Sequence, residues 1–257
     1  MTEAPRWLPY CGEAPGPGVW LERWNLDPVL WAGLAILAVV LWHPAMTNGG
    51  SRGQRRSLHC AWVLLVLLYV SPLCALSSAF FTARVVHHMA LVLVVAPLLV
   101  FGLGRRLDRV AAPLWSSTAL AAVVFWIWHA PGPYGAALSS VPVYALMQFS
   151  LAGSAVLFWT ALRRTGGAPA LAALLVTTVQ MGMLAALITF AARPMYAPHF
   201  LSTLAWGVSP LEDQQMAGLT MWAPGCLAYL CAAVWIGWRW IRSEGSRTSR
   251  PSPLEST

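Results

Sequence analysis

Imidazole, thiol and thioether groups gather at the ends of apolar runs in this 257-residue chain. His87 and His88 open the run that ends near Leu103, His129 closes the run that begins near Pro113, and His199 falls between two later runs. Cys74 closes an earlier run, and Met89, Met195, Met216 and Asp213 sit at comparable places. Nitrogen and soft sulfur donors together suit copper, Cu(I) above all, better than magnesium or calcium. His88, His129, Cys74 and His87 are therefore the candidate ligands, provided that these run ends face the same side.

Each residue also has a plainer reading. An interfacial imidazole often hydrogen-bonds only to headgroups or backbone, and His87 and His199 fit that reading better. His88 and His129 lie just inside the ends of runs, where ionisable groups are costly and tend to be functional, so the two readings stand level there. Cys74 reads more readily as a small buried residue, and the methionines as packing. Arg84 precedes His88 by four residues and shares its helix face, where a guanidinium would repel a metal or bind an anion. No C-x-x-C pair occurs among the five cysteines, and no disulfide framework is expected. No phosphate loop, zinc-binding helix or nucleophile-base arrangement is recognisable, so the chain is not expected to be an enzyme.

The elements that must position these groups are apolar helices. The composition is 58% hydrophobic and 10% charged, with a mean hydropathy of +0.62, too apolar for an ordinary soluble surface. Seven runs approach the roughly 20 residues of a spanning helix: 29–46, 58–76, 84–103, 113–130, 141–162, 169–190 and 210–241. Twelve of the 16 basic residues, all arginine, fall at 52–56, 105–109, 163–164 and 239–250. Those clusters occupy every second gap, and a cytosolic excess of basic residues orients a polytopic protein. The expectation is an all-α integral membrane protein, a bundle of seven transmembrane helices with its N-terminus outside and its C-terminus cytoplasmic. His88, His129 and Cys74 then share the outer level. Residues 1–26 read as an external Pro- and Gly-rich extension without a cleavable signal, 27–242 as the membrane domain, and 243–257 as a disordered cytoplasmic tail. Arginines that flank spanning runs read as contacts to anionic lipid rather than to nucleic acid. Ser209-Pro210-Leu211-Glu212 reads as a helix start, with Ser209 as cap and Glu212 reaching back to it.

Several stretches resemble the CtaG family of cytochrome c oxidase assembly factors. They are Ser71-Pro72-Leu73, HHMALVLVVAPLLVFG (87–102), WHAPGPYGAAL (128–138), ALMQFSLAGSAVLFW (145–159), MGMLAALITFAARPMY (181–196) and SPLEDQQMAGLTMWAPG (209–225). The resemblance implies a seven-helix protein of the bacterial cytoplasmic (inner) membrane that helps mature haem-copper oxidases by assisting copper delivery on the outer face. Its implied partners are the oxidase catalytic subunit or a periplasmic copper donor, besides the lipid bilayer. It also exposes departures. Where the family tends to carry histidine this chain has Arg84, Tyr144 and Gln148, and where it tends to carry an acid the chain has Met89, Gly135 and Cys74. Only His88 and His129 keep ligand positions. A copper or small-solute transporter and a haem protein, with His88/His129 or His43/His59 as axial ligands, stand as alternatives.

Overall fold

The computed structural model describes residues 7, 9–44 and 48–248, with side chains as far as Ser243. Among them it holds helices and turns but no strand. Helix α1 (Pro28–Trp42) starts where Asp27 accepts the Val29 amide at 2.9 Å and Pro28 fills the first helical position. Helix α2 (Arg52–Val70) opens on a capping box of Ser51 and Gln54. Pro72 then denies the chain a continuing amide. Ser71 caps a second helix, α3 (Pro72–Ala79), bent by 52° from α2. Helix α4 (Phe81–Ala90) passes through a π-helical turn (Leu91–Val95) into α5 (Ala96–Leu103). Pro97 explains the wide turn, because its ring cannot tolerate the carbonyl one α-helical turn earlier.

Gly104, with φ at +56°, ends α5 in a conformation that favours glycine. Helices α6 (Leu114–His129), α7 (Pro131–Ser139), α8 (Val141–Thr165) and α9 (Gly167–Thr189) follow. Helix α10 (Pro210–Thr248) begins as the sequence suggests: the Ser209 amide donates to Glu212 at 2.8 Å, and the Glu212 amide to Ser209 Oγ at 3.2 Å. It continues through residues expected to begin the tail. The expected disorder of residues 249–257 lies outside the described residues.

Among the described residues, four helical stretches are long and apolar enough to cross a membrane (Phe81–Arg109, Val141–Thr165, Gly167–Thr189 and Pro210–Ser243), and the bent α2–α3 pair is a fifth if taken together. The other two expected spans are shorter. The first stops at Trp42 rather than at residue 46, giving 15 residues, and α6 has 16. At 1.5 Å per residue they are about 22 and 24 Å long, short of a hydrocarbon core of about 30 Å. The outer faces carry apolar side chains such as Leu175, Val179 and Leu187, as a lipid-facing surface would.

Helices pack closely where small residues permit it. A Cβ on Gly218 of α10 would stand 2.1 Å from Thr189 Oγ1 and 2.9 Å from the Ala185 carbonyl of α9. That backbone contact cannot yield without separating the helices. Gly218→Ala should therefore lower stability by about 1–3 kcal/mol. Thermal unfolding of the purified protein checks this, and an unchanged midpoint would show that α9 and α10 do not meet there.

Candidate functional site

Helix α4 supplies Arg84, His87 and His88, spaced so that all three turn inward, at 0%, 2% and 1% exposure. Its start is fixed by another element. Asp213, in the first turn of α10, accepts the Phe81 amide at 2.6 Å and the Thr82 amide at 3.1 Å, and its backbone carbonyl accepts Thr82 Oγ1 at 2.8 Å. A carboxylate on free helix amides satisfies orphan donors and matches the dipole. Next to it, Gln214 accepts the Met195 amide at 2.7 Å and donates to the Ile188 carbonyl at 3.1 Å, tying the segment after α9 to α10. The LEDQQ stretch is thus structural: Asp213, expected at the level of the ligands, is engaged in capping.

His129 ends α6 and faces His88, their ring centroids 5.6 Å apart and nearly perpendicular. Its Nδ1 donates to the Phe125 carbonyl at 2.7 Å, which leaves Nε2 as a bare lone pair without a partner. From α8, Gln148 accepts the Tyr69 hydroxyl at 2.8 Å and donates through Nε2 to His88 Nε2 at 3.4 Å. His88 Nδ1 and both nitrogens of His87 have no partner, and the His87 ring stands edge-on to Tyr69. Leaving a buried polar atom unpaired costs about 1–3 kcal/mol, so these nitrogens are available to a ligand.

Arg84 shares the cluster. Its Nη1 donates to the Tyr144 hydroxyl at 3.1 Å and its guanidinium lies 5.2 Å from that ring, while Nε and Nη2 have no partner. The only acidic group in an ion pair among the described residues is Asp108, with Arg163 and Arg164 at the far end of the bundle. Over Tyr144 lies the N-terminal segment. Tyr10 stacks on the Tyr144 ring at 5.2 Å, and its hydroxyl donates to Asp27 at 2.5 Å. Trp206 Nε1 donates to the Pro15 carbonyl at 2.9 Å, and the Asn25 amide to Val70 at 2.9 Å. Residues 7 and 9–27 therefore lie across the bundle end, with Trp7, Tyr10 and Cys11 packed on its core.

No disulfide framework was expected, yet Cys11 is bonded to Cys74, with their Cα atoms 5.3 Å apart. Cys74 accordingly offers no thiolate to a metal while that bond is intact. Cys11 gave no signal of this pairing, because 63 residues separate the two and the bond exists only through the fold of the extension. His199 is placed elsewhere in the polar layer. Its Nδ1 donates to Ala79 at 3.2 Å and its Nε2 accepts from Tyr134 at 2.6 Å. His59 accepts Trp42 Nε1 at 2.9 Å and donates to Arg55 at 2.7 Å, so both of its nitrogens are engaged, which disfavours His43/His59 haem ligation.

The model of the cytochrome c oxidase caa3 assembly factor family (Caa3_CtaG) matches residues 34–243. The chain belongs to that family. No curated protein and no solved structure matches it significantly. The matched range covers all of the polar cluster except its N-terminal cover. A resident metal does not fit the donors found. Among the described residues no three His, Cys, Asp or Glu side chains converge as a metal site, and the Arg84 cation lies among the imidazoles.

Burial, and after it the Arg84 charge, holds the His199 imidazole neutral by lowering its pKa from 6.5 to about 3. Between these values the unfolded chain binds a proton that the folded chain refuses. The stabilisation is therefore complete above about pH 6.5 and declines as pH falls towards 3. The thermal midpoint should accordingly fall less from pH 7.5 to 5 in His199→Gln than in the parent. Parallel profiles would show that this imidazole is not buried neutral.

Proposed function

We propose that this chain is a multi-pass protein of the bacterial cytoplasmic membrane that serves the assembly of a haem-copper cytochrome c oxidase, without catalysis of its own. Seven spans carry its N-terminus to the outside and its C-terminus to the cytosol, the two short helices α1 and α6 being accommodated by local thinning of the bilayer. One observation supports this orientation above others: the basic and the histidine-bearing ends of the bundle are opposite. Arg163 donates to the Gly104 carbonyl at 3.2 Å, and Arg106 to the Asn48 carbonyl at 2.8 Å, so the arginine-bearing turns meet on one side. The His88–His129 pair and residues 9–27 occupy the other end. A cytosolic basic end then directs the histidine pair outward.

Copper enters this reading as cargo. His129 Nε2 offers a free lone pair, and His88 could offer Nδ1 by changing tautomer. Two imidazoles suit Cu(I) passing between a periplasmic donor and the oxidase catalytic subunit better than they suit a permanent site. His87 lies 6.2 Å from His88, centroid to centroid, as a third imidazole. Partners would dock on the segments at 131–141 and 191–209, which border this end. Deleting the gene should lower oxidase activity, with added copper partly restoring it, and His88→Ala with His129→Ala should abolish Cu(I) binding by the purified protein. Normal oxidase assembly in the deletion strain would contradict the assembly role. Cu(I) binding that survives both substitutions would contradict the route through this pair.

A further inference from the structure

Arg84 has one edge of its guanidinium without a partner inside a fully enclosed polar cluster. Its relative exposure is 0%. Nη1 and the ring-facing side are engaged by Tyr144, and the Tyr134 hydroxyl also stands beside the guanidinium, whereas Nε and Nη2 meet no described residue in hydrogen-bond geometry. Those two atoms form the side of the guanidinium that presents parallel N–H donors, the fork that matches the two oxygens of a carboxylate. No carboxylate of the protein answers it among the described residues. Asp213 caps α4, and Asp27 accepts from Tyr10 and from the Val29 amide.

We propose that the Nε–Nη2 edge of Arg84 is the binding site of a small monocarboxylate anion, held beneath the disulfide-tethered N-terminal segment. Tyr69, His87, His88, Tyr134 and His199 stand within electrostatic reach of the guanidinium. His87 retains two unpartnered nitrogens and His88 one, so N–H donors additional to the arginine are at hand. The charge selects a monovalent ligand. One guanidinium among neutral imidazoles is neutralised by one negative charge, and a divalent oxyanion would leave a buried excess. Geometry selects the carboxylate over a halide, which cannot meet two parallel donors with two acceptors. Enclosure selects a small molecule. Tyr10 covers Tyr144, Cys11 Sγ lies 3.8 Å from the Tyr144 hydroxyl, and the bond to Cys74 keeps that cover in place. The site does not depend on service to an oxidase, and the test below needs no oxidase.

The test uses the full-length purified protein with its disulfide intact, at ionic strength held constant with sodium sulfate. Sodium formate should raise the thermal midpoint saturably, by about 5 °C or more at a hundredfold excess over half-saturation. Chloride should act more weakly. Equilibrium dialysis with radiolabelled formate should show one site per chain, abolished in Arg84→Met and weakened about tenfold in Arg84→Lys, which keeps the charge and loses the fork. Should Arg84→Met fail to fold, the lysine variant and the dialysis of the parent carry the decision. Absence of stoichiometric formate binding by the parent would overturn the proposal. So would binding that Arg84→Lys retains in full, or equal stabilisation by chloride and formate.

Discussion

A cationic guanidinium enclosed in an apolar helical bundle is the constraint to which the surrounding structure answers. Taking such a charge out of water costs several kcal/mol unless other groups replace its solvation. The Tyr144 ring and hydroxyl provide part of that replacement. Hydroxyl and imidazole groups from several elements supply polar surroundings: Tyr69 from α2, His87 and His88 from α4, Tyr134 from α7, and His199 from the segment before α10. The bundle is thus organised at one end around a polar core, and elsewhere around leucine, valine, phenylalanine and alanine.

That polar core is held in register by groups around its edge. Asp213 closes the amino end of α4 and so fixes the rotation that turns Arg84, His87 and His88 inward. Tyr196 donates to the His129 carbonyl at 2.7 Å and stacks on Phe81 at 3.7 Å, linking the end of α6 to the start of α4. Gln214 draws the chain around Met195 onto α10. The His88–His129 pair therefore rests on contacts among α4, α6 and α10 and on the segment before α10. The N-terminal extension closes the same end through a disulfide, hydrogen bonds to Val70 and Asp27, and an aromatic stack.

Much of this was readable in the residues. Apolar runs, proline and glycine breaks, and the Ser209–Glu212 cap all carry local signals, and those elements appear where local physics puts them. The neighbourhood of His88 and His129 was also legible, since both lie at ends of runs that alternate with arginine clusters. The Cys11–Cys74 bond was not legible, because no spacing rule connects a proline-rich extension to a residue 63 positions later. The use of Asp213 to cap a helix far away in sequence was equally hidden: an acid in the first turn of its own helix satisfies a local rule without revealing its real partner. Arg84 was recognised as an obstacle to copper, but its enclosure and its unpartnered edge depend on tertiary packing.

The departure from a histidine-rich pattern at positions 84, 144 and 148 acquires a physical sense in this arrangement. Tyr144 accepts a hydrogen bond from the Arg84 cation, and Gln148 donates one to the His88 imidazole. The proposed function turns on which side of the bilayer this end faces, and reporter fusions measure that most directly. Periplasm-active reporters at residue 135 and at residue 203, with cytosol-active reporters at residues 107 and 165, should all be active. A cytosolic signal from residue 135 would place the histidine pair inside the cell and contradict the account.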